Sequence, residues 1–258
     1  MDLPTLAGLA LGFGAVFGGF IFEGGNIEAV IQPTAAIIIG GGTLATLCVQ
    51  FPGTHLKAAL KGIKNVFLPP KQDLAGLIAA LVGFAQKARK EGLVALEQDA
   101  ANSKEPFLKK SLGLAVDGTE SRLIREAMEI ELQVLGEEGE AGGKVLEAGG
   151  GFAPTIGILG AVLGLIHVME NINDPAKLGT GIAVAFVATV YGVFLANVIC
   201  LPMGAKMKMR HQEVMMKNEL ILTGVLGIVD GENPRIIEQK LQGYLGEHAA
   251  HGKGGKGH

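Results

Sequence analysis

Gly179–Met203 reads GTGIAVAFVATVYGVFLANVICLPM, twenty-five residues without an Asp, Glu, Lys, Arg or His. About twenty consecutive apolar residues carry a helix across the hydrocarbon of a bilayer. In that setting only a helix or a closed barrel satisfies its own backbone polar groups. The run therefore predicts a membrane span. Just upstream, Phe152–Met169 is a second such run of eighteen residues, with His167 its one ionisable group. At the other end of the chain lie Leu3–Phe22, with twenty residues, and Ala29–Phe51, with twenty-three, both free of charge. Leu74–Ala85 is also apolar, but twelve residues are too few to span and fit one face of a polar-segment helix. The sequence thus predicts an all-α integral membrane protein with four transmembrane helices in two hairpins.

Composition agrees. Of 258 residues only 18% are charged, against about 25% in ordinary soluble domains, and 40 are glycine. Small residues suit membrane helices because they let backbones approach. A net charge of −3 is no footprint for nucleic acid. No Lys or Arg precedes Lys57, so the first run lacks the basic start of a signal peptide. The basic residues also set the topology. The connection Glu23–Glu28 has none and Glu170–Leu178 has only Lys177, whereas Pro52–Gly151 holds 13 and Gly204–His258 holds 8. Lys57, Lys61 and Lys64 follow the second span; Lys206, Lys208 and Arg210 follow the fourth. Basic residues beside a span stay in the cytoplasm, which puts both polar segments and both termini inside.

The expected organisation is a hairpin over 1–51 (spans 3–22 and 29–51) and a helical cytoplasmic insert over 52–151. A second hairpin covers 152–203 (spans 152–169 and 179–203), and a cytoplasmic helical extension covers 204–258. In the insert, Pro69-Pro70 interrupts the chain and Lys71-Gln72-Asp73 opens a helix that ends near Gly92, a residue type suited to closing a helix. A short helix over Leu93–Ala101 and a long one from Asp117 or Ser121 toward Gly149 follow. The fourth span continues through Met207 and Glu219, and Asn233-Pro234 starts a last helix to Leu245. The chain is expected to be disordered from about 248, and Gly252–His258 is low in complexity. His248, His251 and His258 lack a carboxylate or Cys framework and fit a flexible tail better than a metal site.

No motif for catalysis is present: no phosphate loop, nucleophile elbow or zinc spacing. Cys48 and Cys200 lie in apolar runs and suit packing. Gly40–Gly42 sits within a span, and Gly149–Gly151 reads as a flexible hinge. Gly8 and Gly12, Gly14 and Gly18, and Gly160 and Gly164 are pairs four residues apart, on one helix face each. They fit packing within the chain and packing against other copies equally well. The most informative feature is an absence. No span holds an Asp or Glu in its middle, where ion-coupled machines place an ionisable group. Either the chain conducts no ion, or another chain supplies the carboxylate.

The run Ala153-Pro154-Thr155-Ile156-Gly157-Ile158-Leu159-Gly160-Ala161-Val162-Leu163-Gly164-Leu165 resembles the flagellar stator A subunit of the MotA/PomA type. So do Ala188-Thr189-Val190-Tyr191-Gly192, Leu195-Ala196-Asn197 and Leu201-Pro202 in the fourth span. Arg89-Lys90-Glu91-Gly92-Leu93-Val94-Ala95-Leu96-Glu97 resembles the family's charged rotor-contact segment. The resemblance reaches to about Gly246. It implies a homo-pentamer around two B subunits, each with one membrane helix bearing the Asp and a peptidoglycan-binding domain. It also implies a rotor switch-complex protein as partner and the bacterial inner membrane as location. Pro154 and Pro202 match the coupling prolines, Thr189 the threonine of the ion path, and Arg89 and Glu97 the rotor-facing charges.

Each residue also has a plainer role. Prolines occur at helix ends, a membrane threonine bonds its own i−4 carbonyl, and cations in a last turn favour the helix dipole. Sodium-driven relatives carry Thr where this chain has Ala161, seven residues after Pro154. Ala161 offers no side-chain oxygen, so the expected ion is the proton, with no cofactor. Two other classes compete. An ExbB/TolQ-type motor subunit has a single span before its cytoplasmic segment, which the pair Leu3–Phe22 and Ala29–Phe51 opposes. A self-contained transporter would need its own mid-membrane charge or broken-helix repeats.

Overall fold

The computed structural model describes residues 2–70, 72–170 and 175–245. Among them there are helices and turns and no strand. The helices are α1 (Leu3–Phe22), α2 (Ile27–Val30), α3 (Pro33–Gln50), α4 (Gly53–Phe67), α5 (Leu74–Glu91) and α6 (Glu97–Asn102). They continue with α7 (Pro106–Val116), α8 (Ser121–Glu170), α9 (Pro175–Phe194), α10 (Leu201–Val229) and α11 (Pro234–Gln242). Four of these segments, starting at Leu3, Ile27, Ser121 and Gly181, are long and apolar enough to cross a membrane. The expected histidine tail, the connection with Lys177's side chain and the helix-opening Lys71 lie outside the described residues. The chain divides into two compact units, 1–70 with 138–210, and 71–137 with 211–258.

In the first unit the apolar surface points outward. α1 has no buried residue, and α3 buries only Ala35, Ile39, Thr43 and Leu47. Ile37, Phe186, Ile158 and Val49 are among many large apolar side chains left exposed. Continuous apolar surface of this extent marks a membrane or partner face. What holds the unit together is a seam of small residues between α8 and the α9–α10 strand of helix. A Cβ added at Gly192 would come within 2.5 Å of the Ala153 carbonyl oxygen, and one at Gly157 within 3.1 Å of the Ala188 carbonyl. Gly160 and Gly164 meet Ala188 and Ala185 in the same seam. Further along, a Cβ at Gly143 or at Gly204 would come within 3.1 Å of the other's carbonyl oxygen. Backbones this close gain dispersion contacts that bulkier side chains would prevent. The pair Gly160 and Gly164 therefore packs within the chain, while a Cβ at Gly14 or Gly18 would meet no other part of the chain within 4 Å.

Three local expectations change. The second span is not one helix: α2 ends at Val30 and α3 starts at Pro33. Proline lacks an amide donor and disfavours helix in the residue before it, so Pro33 opens a helix rather than continuing one. Gly149–Gly151 is not a hinge, because α8 runs through it without a break. Cβ atoms at Gly149 and Gly150 would press on Leu47, Cys200 and Leu201, so these two glycines serve close packing. Finally, the insert contains two helices absent from the sequence expectation, α4 and α7.

The second unit has the soluble pattern. α5 buries Ile78, Leu81 and Ala85, α7 buries Leu108, Leu112 and Ala115, and α8 contributes Ile124, Met128 and Leu132. These spacings of three and four put each set on one helix face. Leu220, Val225, Ile237 and Leu241 of α10 and α11 complete the core. Full burial of a Leu such as Leu81 or Leu112 contributes about 1.5–3 kcal/mol. α5 closes as expected at Gly92, whose φ of 85° favours a residue without Cβ.

Gly192→Val is expected to destabilise the protein by at least about 1–3 kcal/mol through overpacking, seen as a lower unfolding midpoint in detergent. Gly83→Ala, where a Cβ meets nothing within 4 Å, should leave the midpoint unchanged or raise it.

Candidate functional site

The two prolines singled out in the sequence sit in unlike surroundings. Pro154 lies inside α8 rather than at a helix end. Its ring nitrogen has no hydrogen to give the carbonyl four residues earlier. One residue on, the Thr155 hydroxyl donates to the Phe152 carbonyl at 2.8 Å, adding a bond in the weakened turn. Pro202 stands in the first turn of α10, directly after Leu195–Cys200, which is wound as a π-helix. There the Leu201 amide donates five residues back, to Ala196. The missing donor at Pro202 explains the wider winding, since π-turns form where the regular ladder is interrupted. Asn197, within the wide turn, donates from Nδ2 to the Val193 carbonyl at 2.9 Å.

Thr189 lies between these features on α9 and is half-buried, with its hydroxyl donating to its own i−4 carbonyl, Ala185, at 3.4 Å. Ala161 follows Pro154 by two helical turns on α8 and is also half-buried. Pro154, Ala161, Thr189 and Pro202 all belong to the first unit. Arg89 and Glu97 belong to the second. Arg89 is exposed in the last turn of α5, and Glu97 is exposed at the first residue of α6. An ion pair from Lys87 to Asp99, at 2.8 Å, ties the same two helices together. That pair and the turn at Gly92 hold the two exposed charges on neighbouring helices. Among the described residues no group of His, Cys, Asp and Glu is arranged to hold a metal ion.

Three features escaped the sequence reading. The π-turn is one. The second is Tyr191, whose hydroxyl donates to the Val30 carbonyl at 2.6 Å and accepts from the Gln32 amide at 3.4 Å. It satisfies the backbone groups freed by the break before Pro33. The third is a charge cluster at the foot of the first unit. Asp2 is largely buried and caps α1 by accepting from the Thr5 amide at 3.2 Å. Its carboxylate pairs with Lys206 and with Arg210, the latter at 3.1 Å, and its own amide donates to the Phe67 carbonyl at 2.9 Å. Lys206 reaches the Thr5 hydroxyl at 2.5 Å as well. Nearby, Lys208 pairs with Glu147 at 2.5 Å. The bond from Lys206, then that from Thr5, hold the Asp2 carboxyl well below the usual carboxylate range. No periodicity announces such a contact between residues two hundred positions apart.

Residues 99–220 match the MotA/TolQ/ExbB proton channel family, and residues 6–92 match the Motility protein A N-terminal family. The chain is 37% identical to Motility protein A of Helicobacter pylori over 95% of both proteins. It is 34% identical to chemotaxis protein PomA of Vibrio alginolyticus over 96% of both. Among solved structures, MotAB of C. jejuni superposes with a TM-score of 0.90 at 34% identity, covering 96% of this chain and 97% of that one. The flagellar MotAB stator complex of Bacillus subtilis superposes with a TM-score of 0.87 at 34% identity, covering 95% and 96%.

Asp2→Asn is expected to lower the unfolding midpoint at neutral pH. A carboxylate with a lowered native pKa stabilises fully above the unfolded value, here 3.8. That contribution is lost as pH falls from there toward the native value. Midpoints of the two proteins, measured down a pH series, should therefore converge in acid. A gap that stays constant through the carboxylate range would give the difference another origin.

Proposed function

The chain belongs to the MotA/TolQ/ExbB proton channel family, and from that premise we propose how it works as a stator subunit of the flagellar motor. It is a motor subunit and not an enzyme. In our reading several copies, five in the family pattern, surround two B subunits. Each B subunit brings one membrane helix with an Asp and a peptidoglycan-binding domain that fixes it to the wall. The observation that carries this is the pairing of a proline-linked π-turn with spans that hold no mid-depth acid. Movable backbone is present, and the group that would bind the ion must come from outside. A single span before the polar insert would have favoured an ExbB/TolQ-type subunit, but two candidate spans stand there.

The ion passes along the half-buried face that includes Ala161 and Thr189. Thr189 already bonds its own carbonyl, so its oxygen reaches the path only by turning away from Ala185. Ala161 adds no oxygen ligand, and a sodium ion needs several. We therefore assign the proton as the coupling ion. Neutralising and recharging the partner's Asp alters the field beside Pro154 and Pro202, where helix bonds are already missing and bending costs least. Bending there is the chain's own part of the coupling. We place the insert and both termini in the cytoplasm of an inner-membrane protein, a reading supported by the lysines and arginines beside the second and fourth spans.

Arg89 and Glu97 meet the rotor switch-complex protein. Exposed charge pairs contribute about 0–1 kcal/mol each. A contact built from them is weak, salt-sensitive and quickly released, which suits stepping along a ring.

Two outcomes test this. Affinity purification of the tagged chain should bring down a single-span partner with an intramembrane Asp and a peptidoglycan-binding domain. Swimming that depends on the pair should stop with a protonophore and persist without sodium; motility that tracked external sodium and survived the protonophore would refute proton coupling. Second, Arg89→Glu with Glu97→Arg should abolish most torque in a tethered-cell assay, and reversed charges on the rotor should restore it. Unchanged torque in the double variant would remove these residues from the rotor contact.

A further inference from the structure

α4 lies wholly within the first unit and has a strongly polar face. It starts three residues after α3 ends, and its last residue, Phe67, accepts the amide of Asp2 at the start of α1. Both of its ends are thus tied to span ends on one side of the membrane. Fifteen residues make it about 22 Å long at 1.5 Å per residue, and it must lie along the bilayer surface. Its inner face is apolar: Ala59 packs with Leu47 and Val145, and Val66 with Met203 and Met207. A Cβ at Gly62 would collide with Met207.

The outer face is different. Lys57, Lys61 and Lys64 recur at intervals of four and three, so they form one stripe. All three are exposed, and none has a carboxylate partner among the described residues. The sequence from Ala29 to Gln72 contains no Asp or Glu at all. Leu60 and Leu68 share the stripe and are 71% and 51% exposed. Two exposed leucines beside three unpaired ammonium groups match a leaflet with acyl chains below and phosphates above. Lysine stems lie along the apolar zone and lift the charge to the headgroups.

We propose that the outer face of α4 binds anionic phospholipid headgroups of the cytoplasmic leaflet through Lys57, Lys61 and Lys64. Charge complementarity identifies the occupant. A zwitterionic lipid offers no net charge, and a second copy of this chain could pair with the stripe only through carboxylates of another segment, since Ala29–Gln72 has none. Each lysine near an anionic surface strengthens association about fivefold, so three together give on the order of a hundredfold. The lipid would hold α4 flat, and with it the foot of α1 and the base of α10 that α4 touches.

The test uses the full chain with its B-type partner in nanodiscs of phosphatidylcholine alone or mixed with phosphatidylglycerol. An uncharged amine-acylating reagent is followed by peptide mass spectrometry, with exposed Lys90 as the reference site. Labelling of Lys57, Lys61 and Lys64 should fall roughly fivefold relative to Lys90 when phosphatidylglycerol is present, and high salt should restore it. The Lys57→Gln, Lys61→Gln, Lys64→Gln variant should retain less phosphatidylglycerol after detergent exchange, with phosphatidylcholine unchanged. Equal, fast labelling in both discs would overturn the proposal in favour of a solvated face. Slow labelling in both would overturn it in favour of a neighbouring copy. Neither result touches the stator assignment, which the partner purification tests separately.

Discussion

The close approach of two backbones at Gly157 and Gly192 is the contact on which the membrane unit depends. In water, helices associate by hiding apolar surface. In lipid that drive is absent, because acyl chains are as apolar as leucine. What remains is contact at short range, and it needs residues without bulk. Gly192 against the Ala153 carbonyl, Gly157 against Ala188, and Gly164 against Ala185 supply it along one seam. The consequence is visible in α1, which buries none of its residues and is held along its length by Gly12 against Val198 and an aromatic group of Phe13, Phe17 and Phe194. Its other face is left for lipid or a neighbour.

The same seam makes the interrupted helix tolerable. A proline inside a helix costs about 3 kcal/mol in an ordinary setting. Here Pro154 stands one residue from Ala153, where the facing helix is closest. The π-turn before Pro202 lies opposite Gly150, which a Cβ would drive into Leu201 and Cys200. Close packing thus surrounds both defects and keeps them local. Two interrupted turns inside an otherwise closely packed seam are where bending costs least, as the proposed coupling requires.

Much of this was legible because membrane spans announce themselves by length. The four spans needed only a count of apolar residues, and the end of α5 at Gly92 needed only knowledge of positive φ. The motif around Pro154 and Thr189 was legible as a pattern, but its geometry was not. The sequence offered Thr189 both an ion-path role and a bond to its own i−4 carbonyl, and only the structure shows the hydroxyl turned to Ala185. The reading of Gly149–Gly151 as a hinge failed for a related reason. Three glycines look flexible in isolation, and only the facing residues Leu47, Cys200 and Leu201 turn Gly149 and Gly150 into a packing surface. Asp2 was invisible for want of any local signal: its partners Lys206 and Arg210 come from the far end of the chain. α4 was missed because its amphipathic period begins directly after a span, where an apolar reading is already in force.

Charge placement follows from the same solvent. A carboxylate at mid-depth would need a partner or a proton, and this chain keeps its carboxylates at the margins. Asp2 is paired with two cations, Glu147 with Lys208, and Glu170 lies beside His167. Each has a basic neighbour within the chain. Asp2 illustrates the point, since its lowered pKa keeps it ionised at any physiological pH. The walls are therefore electrostatically quiet along their length and pinned at their foot. On the proposed topology such walls leave the field inside the assembly to whatever acid the partner brings. The chain's own response is then mechanical, concentrated where the helix ladder is already broken.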